Sequence, residues 1–135
     1  MTIEGAPKIR LGAIQGDAVL VVRGGALDPG LATAAAVRFR RRYPAWDRYG
    51  ISALLAADDD EIDVLCETRL ERFSTVAVFR RADLEVEGVE IVPTFRRPYV
   101  TLAHTDLDAL VNGLLSCKHR LLSNRHHRGQ GDIRP

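Results

Sequence analysis

The run Val19-Leu20-Val21-Val22-Arg23-Gly24-Gly25 is the starting point for interpreting this chain. Its four apolar residues, three of them valine, predict a short buried strand, because β-branched side chains pack well on a pleated surface. The strand ends at an arginine followed by two glycines, which leave the backbone open to close approach. A cation therefore stands at the end of a buried strand, and this is the first place where we expect a ligand.

Length and composition predict one domain. A chain of 135 residues has the size of a single domain, and 46% hydrophobic residues are enough for a core. The net charge is +1, so no overall field draws the chain to nucleic acid or to a membrane. Of the 19 basic residues only Lys8 and Lys118 are lysine, which leaves 19 − 2 = 17 arginines. Codon usage in a GC-rich genome favours arginine, but it does not explain where the arginines cluster.

Nothing in the sequence predicts export or membrane insertion. Residues 1–11 carry charges and lack the apolar segment of a signal peptide, and no apolar run approaches the roughly 20 residues that span a bilayer. Cys66 and Cys117 lie in apolar helical patterns, which is typical of small core residues in a reducing compartment. We therefore expect a cytoplasmic protein. We expect no metal site, because His126 and His127 have no partner ligands at metal spacing.

Apolar patterning predicts an α+β domain with about five strands in a mixed or antiparallel sheet and three helices. The first helix begins at Asp28-Pro29, a capping residue followed by proline at the first helical position, and ends before Pro44. The second follows the acidic run 58–61, and the third is capped by Thr105. The strands are predicted at 18–23, 49–57, 75–80, 89–92 and 99–104.

Both ends of the chain are rich in glycine and polar residues. We therefore predict a flexible arm over residues 1–16 and a flexible tail over residues 124–135. The single domain is predicted to lie between them, over residues 17–123.

The strand ends carry the first group of candidate site residues. Arg23 is suited to grip a phosphate with two parallel hydrogen bonds, while Gly24 lets a ligand approach the backbone. On the second strand, Tyr49 is suited to stack on a base or nicotinamide and Ser52 to bond a ribose or the arginine. The alternative is structural: an arginine at a strand end often pairs with an acidic neighbour, and a serine on a strand often has no ligand.

Arginines elsewhere form a second group of candidates. Three lie on one face of the first helix, and two more stand with aromatic residues in the loop 94–99, a mixture that suits phosphate contact and base stacking. If both sets line one groove, the sequence predicts RNA binding, or a ribonuclease that uses a histidine as acid or base. The alternative is a solvated surface. The residues of this group are Arg38, Arg41, Arg42, Arg96, Arg97 and His104.

Motifs are spread over nearly the whole chain: Val21-Val22-Arg23-Gly24-Gly25, Tyr49-Gly50-Ile51-Ser52, Pro93-Thr94, Pro98-Tyr99, Asp106-Leu107-Asp108-Ala109-Leu110 and Ser123-Asn124-Arg125-His126-His127. Together they resemble a group of small proteins from high-GC bacteria, a resemblance that implies no particular activity. More remotely, the order of elements resembles the ADP-ribosyltransferase fold. In that fold an arginine closes the first strand, a serine or tyrosine lies on the next strand, and a glutamate comes from a later one.

The second resemblance implies NAD as cofactor. Arg23 and Gly24 would hold its phosphate or ribose, Tyr49 would stack on the nicotinamide, and Ser52 would brace the site. A glutamate would stabilise an oxocarbenium-like transition state. The strand 99–104 has no glutamate, and Glu85, Glu87 and Glu90 are only loose substitutes for it, of which we assign the role to Glu90.

Three hypotheses of function follow. The first is a toxin-like ADP-ribosyltransferase that uses NAD, since compact bacterial enzymes of this type are often toxins with an antitoxin protein as partner. The second is an RNA-binding protein or ribonuclease with an arginine-rich surface. The third is a non-enzymatic interaction module that docks on another protein through Leu114 and Leu115 or through a sheet edge.

Overall fold

Six strands form one sheet in the computed structural model, which describes residues 4–128. The strands are β1 (Leu20–Gly24), β2 (Tyr49–Ala56), β3 (Thr75–Arg80), β4 (Glu90–Pro93), β5 (Tyr99–His104) and β6 (His119–Ser123). The helices are α1 (Pro29–Arg42), α2 (Asp59–Thr68), α3 (Arg81–Val86) and α4 (Leu107–Ser116). The strand order is β4-β5-β2-β1-β3-β6, and every neighbouring pair is antiparallel. The predicted α+β class is confirmed.

Both faces of the sheet are covered at β1. Val21 and Val22 have no exposed surface, and because successive side chains of a strand point to opposite faces, they lie in different cores. Val21 belongs to the larger core, which includes buried residues of α1, α3 and α4, whereas Val22 belongs to the smaller core with α2. A strand buried on both sides needs a continuous apolar run, which is the pattern that the sequence shows.

The helix starts follow the capping residues in the sequence. Asp28 accepts a hydrogen bond from the Leu31 N–H at 2.8 Å, and Asp58 accepts one from the Glu61 N–H at 2.9 Å. The prediction for the last helix is wrong by one residue. Asp106, and not Thr105, is its cap, because the Asp106 carboxylate accepts from the Ala109 N–H at 2.8 Å.

One strand was not predicted. The segment His119–Ser123 pairs with β3 at an edge of the sheet, and its exposed Arg120 and Leu121 hide the apolar alternation of a strand. An edge strand packs against only one neighbour, so its sequence is under weaker selection for apolar residues.

Residues of the predicted arm and tail contact the domain where the structure describes them. The Phe95 N–H donates to the Lys8 carbonyl at 2.8 Å, and the Arg10 N–H donates to the Pro93 carbonyl at 2.9 Å. At the other end, the buried Asn124 side chain donates to the carbonyls of Leu70 and Phe73 at 2.9 and 3.0 Å. Residues 1–3 and 129–135 lie outside the described part.

The two cysteines are buried and free, in agreement with their prediction as core residues. Cys66 lies in the core with α2 and Cys117 in the other, so the sheet separates them. Burial raises the pKa of the Cys117 thiol to about 11. None of the helices within residues 4–128 has the length and apolar character to cross a membrane.

A buried hydroxyl pair joins β5 to the residue that follows β4, and it provides a test of this packing. The Oγ1 atoms of Thr94 and Thr101 are 2.7 Å apart, and both residues have no exposed surface. Thr101→Val strands the Thr94 hydroxyl, so we expect the free energy of unfolding to fall by about 1–3 kcal/mol. The double variant T94V/T101V is expected to recover most of this loss. Urea denaturation of the four proteins measures the coupling, and strictly additive losses would contradict it.

Two residues that follow β6 contact the side chain of Asp63 on α2. The Arg125 guanidinium donates to both carboxylate oxygens at 3.0 and 2.8 Å, and the His126 Nε2 lies 3.1 Å from Oδ1. The hydrogen bond from Arg125 is the main reason that the pKa of Asp63 falls from 3.8 to about 2.

This lowered pKa predicts a pH-dependent contribution of Asp63 to stability. A group with a depressed native pKa stabilises the fold above its unfolded pKa and loses the contribution as the pH falls through the native value. Relative to Asp63→Asn, which cannot ionise, the wild-type protein should therefore unfold at higher urea at about pH 5, and the gap should shrink toward about pH 2. A gap that does not change with pH would show that the carboxylate's ionisation contributes nothing.

Candidate functional site

Arg23 lies where two neighbouring strands separate. β1 pairs with β3 along Leu20–Gly24, but its pairing with β2 ends at Val22 and Leu54. Beyond this point the Arg23 NH1 donates a hydrogen bond to the Ser52 carbonyl oxygen at 2.7 Å. The guanidinium therefore connects β1 and β2 where their main-chain hydrogen bonds stop. Its partner is the backbone of Ser52, while the serine side chain is exposed.

Two glycines of the candidate site make room for aromatic rings of the protein itself. A Cβ on Gly24 would overlap the ring of Phe73. A Cβ on Gly50 would lie 2.7 Å from ring carbon Cδ1 of Phe39 and 2.7 Å from Cγ2 of Thr101. The space that the sequence hypothesis assigned to a ligand is thus filled by internal packing.

The remaining residues of the NAD hypothesis are spread over the sheet. Tyr49 and Ser52 are three residues apart on β2, so their side chains point to opposite faces. Glu90 accepts from Arg48 Nε at 2.7 Å and lies on β4, which β5 and β2 separate from β1. Three strand spacings are about 14 Å. The structure therefore does not bring these residues around one hollow with Arg23.

Arg23 has an electrostatic neighbour that the sequence did not pair with it. Burial lowers the pKa of its guanidinium, and the positive charge of Arg38 lowers it further. Within residues 4–128 neither side chain has a carboxylate partner. When two positive charges lie close together with no carboxylate nearby, a bound anion reduces their mutual repulsion. The surface around Arg23 and Arg38 is therefore favourable for an anion.

The charges of the helices are segregated. α1 carries four arginines and no acidic residue, whereas α2 carries five acidic residues and no basic one. Within α1, Arg40 is held by Asp47 at 3.2 Å and by the Pro44 carbonyl at 3.0 Å. Arg38 and Arg41 are exposed and line a shallow open groove along the helix. The exposed positive charge of α1 therefore lies on the face that carries Arg38 and Arg41.

An aromatic contact joins the end of α1 to the loop between β4 and β5. The rings of Tyr43 and Phe95 have their centroids 6.1 Å apart, and Arg42 donates from Nε to the Tyr43 hydroxyl at 3.1 Å. Arg96 follows Phe95 and is exposed. We call Arg38, Arg41, Arg42 and Arg96 the arginine track. It unites four residues that the sequence assigned to RNA from two separate segments.

The other two RNA candidates lie elsewhere. Arg97 lines a separate cleft, which also contains Arg10. His104 stands at the far end of β5, five residues or about 17 Å from Tyr99, where the strand leaves the loop. Its Nδ1 accepts from the Asp106 N–H at 2.9 Å, beside the start of α4. His104 therefore lies away from the arginine track.

Sequence reasoning missed Arg10. Its NH1 donates to the carbonyl oxygens of Thr94 and Tyr99 at 2.7 and 2.8 Å, so it holds the two ends of the β4–β5 loop together. Its partners are 84 and 89 positions away in the chain, and no local pattern marks the residue.

No family model, curated protein or solved structure matches the chain. Within the described range 4–128, the histidine, cysteine and acidic side chains form no group of three that could hold a metal ion.

The contact between Arg23 and Ser52 can be tested by two substitutions. Arg23→Ala removes the bond to the Ser52 carbonyl, so we expect a loss of about 1–2 kcal/mol in the free energy of unfolding. Ser52→Ala removes only an exposed hydroxyl and should change it by less than about 0.5 kcal/mol. Urea denaturation measures both, and equal losses would mean that the hydroxyl is the partner.

Proposed function

We propose that the protein binds single-stranded RNA along the arginine track, with phosphates on the guanidiniums and bases against Tyr43 and Phe95. The observation that carries the proposal is the contact between these two rings, which makes one surface of the helix arginines and the loop arginine. Proteins that bind single strands combine a positive groove for the backbone with aromatic rings for the bases.

The charges of the arginine track support this ligand. Arg38 and Arg42 are four residues apart, so they lie on the same face of α1 one turn apart. None of the track residues forms an ion pair within residues 4–128. Their positive charge is therefore free to neutralise phosphates and release counterions.

The shape of the surface favours a chain over a dinucleotide cofactor. The groove along α1 is open and shallow, and the track continues past it to the loop. An NAD-dependent transferase would need Arg23, Tyr49, Ser52 and Glu90 around one ligand, and their positions supply no such pocket. A nucleic-acid strand needs only a series of cations and stacking rings, which this surface supplies.

Binding of a fluorescent single-stranded RNA, followed by anisotropy over a range of salt concentrations, tests the proposal. R38Q/R41Q should weaken binding at least about tenfold, because it removes two charge-assisted contacts. It should also reduce the slope of log K against log salt by about 1.4, since each single-strand phosphate contact contributes about 0.7.

The matched control is R120Q/R125Q, which removes the same charge from ion pairs beside α2. It should leave binding unchanged. Equal losses in the two double variants, or no binding of wild-type protein at low salt, would reject the proposal. A parallel calorimetric titration with millimolar NAD decides the alternative, because heat that depends on Arg23 would favour the transferase hypothesis.

A further inference from the structure

A second cationic feature lies beside the β4–β5 loop, at a cleft separate from the groove along α1. Residues 10–15 form one wall of a cleft of about 160 Å³ against the loop and the adjoining part of β2. Arg10, Arg97 and Glu61 provide its charged side chains, and Leu55 and Pro98 provide apolar ones. Unlike the groove along α1, this space is bounded on several sides by different segments of the chain.

Two guanidiniums stand at this cleft without a carboxylate partner among residues 4–128. Arg10 uses its NH1 to bind two carbonyl oxygens, which fixes the side chain and leaves its Nε and NH2 hydrogens for another acceptor. Arg97 makes no hydrogen bond or ion pair within this range, so all five of its donors are available. Burial and the charge of Arg97 together lower the pKa of Arg10, in keeping with two like charges close together.

Glu61 adds a negative charge to the cleft and so restricts which ligands fit it. One of its carboxylate oxygens accepts from the Ala57 N–H at 2.7 Å at the start of α2. Its negative charge opposes an anion, while its other oxygen is an acceptor for a hydroxyl group. A ligand that presents both an anion and a hydroxyl therefore fits the charged groups better than a bare anion.

We infer that this cleft binds a phosphate monoester that carries a hydroxyl group, either a free sugar phosphate or the phosphorylated end of an RNA strand. A monoester carries a charge of about −1.5 to −2 at pH 7, which suits two guanidiniums. The sugar would lie on Leu55 and Pro98 with a hydroxyl toward Glu61. This site does not depend on RNA binding by the arginine track, because it shares none of the residues of that track.

Calorimetric titration of the full chain with ribose 5-phosphate and with inorganic phosphate tests the site. Arg97→Gln should weaken ribose 5-phosphate about tenfold, since it removes a charge-assisted contact. Arg72→Gln is the matched control, because this exposed arginine belongs neither to the cleft nor to the arginine track, and it should leave affinity unchanged. Glu61→Gln should strengthen inorganic phosphate binding and reduce the preference for the sugar phosphate.

No heat with millimolar ribose 5-phosphate, or equal losses for Arg72→Gln and Arg97→Gln, would overturn the inference. Two RNA oligomers that differ only in a 5′-phosphate identify the source of the ligand. Tighter binding of the phosphorylated oligomer that Arg97→Gln abolishes assigns the cleft to an RNA end, whereas equal binding of both assigns it to a free sugar phosphate. The variant R38Q/R41Q should retain ribose 5-phosphate binding, so failure of one proposal is distinguishable from failure of the other.

Discussion

Val21 and Val22 are adjacent in the sequence and completely buried on opposite faces of the sheet. A strand in this position requires a covering layer on each side, because an exposed apolar face would cost the hydrophobic free energy that holds the sheet. The two covering layers differ in size. Three helices contribute to the core on the side of Val21, and α2 alone provides the helix on the side of Val22. Helix α2 and the group of α1, α3 and α4 therefore lie on opposite faces of the sheet.

The elements that could be predicted are those whose signals are local. Asp28-Pro29 and Asp58 mark helix starts by chemistry that acts within three residues, and the runs of β3 and β5 are apolar because both of their faces are buried. Thr105 and Asp106 are both residues that favour a helix cap, and the sequence alone does not distinguish between them. β6 carried no local signal, since an edge strand with one covered side needs few apolar residues.

The candidate site was harder to predict because its decisive contacts join distant segments. Gly24 was expected to let a ligand approach the backbone, but the group that lies against it is the ring of Phe73, and the ring of Phe39 lies against Gly50 in the same way. A glycine shows that something must come near, and only the tertiary packing shows what it is. Arg23 was correctly placed at a strand end, but its partner is a carbonyl oxygen that every residue carries. Separation of charge between α1 and α2, in contrast, is visible in the sequence and survives in the structure as two differently charged surfaces.

The late position of Asn124 and β6 in the chain has a consequence for folding during synthesis. Its side chain satisfies carbonyl groups at the end of α2, and β6, immediately before it, covers the outer edge of β3. Both features come after all the other described elements in the order of synthesis. A nascent chain that has completed β5 and α4 on the ribosome therefore still presents the bare edge of β3, whose residues Val76 to Phe79 are almost wholly buried in the finished protein. Such an edge is a template for pairing with another chain, so incomplete or prematurely terminated copies of this protein should be substrates for chaperones and for aggregation.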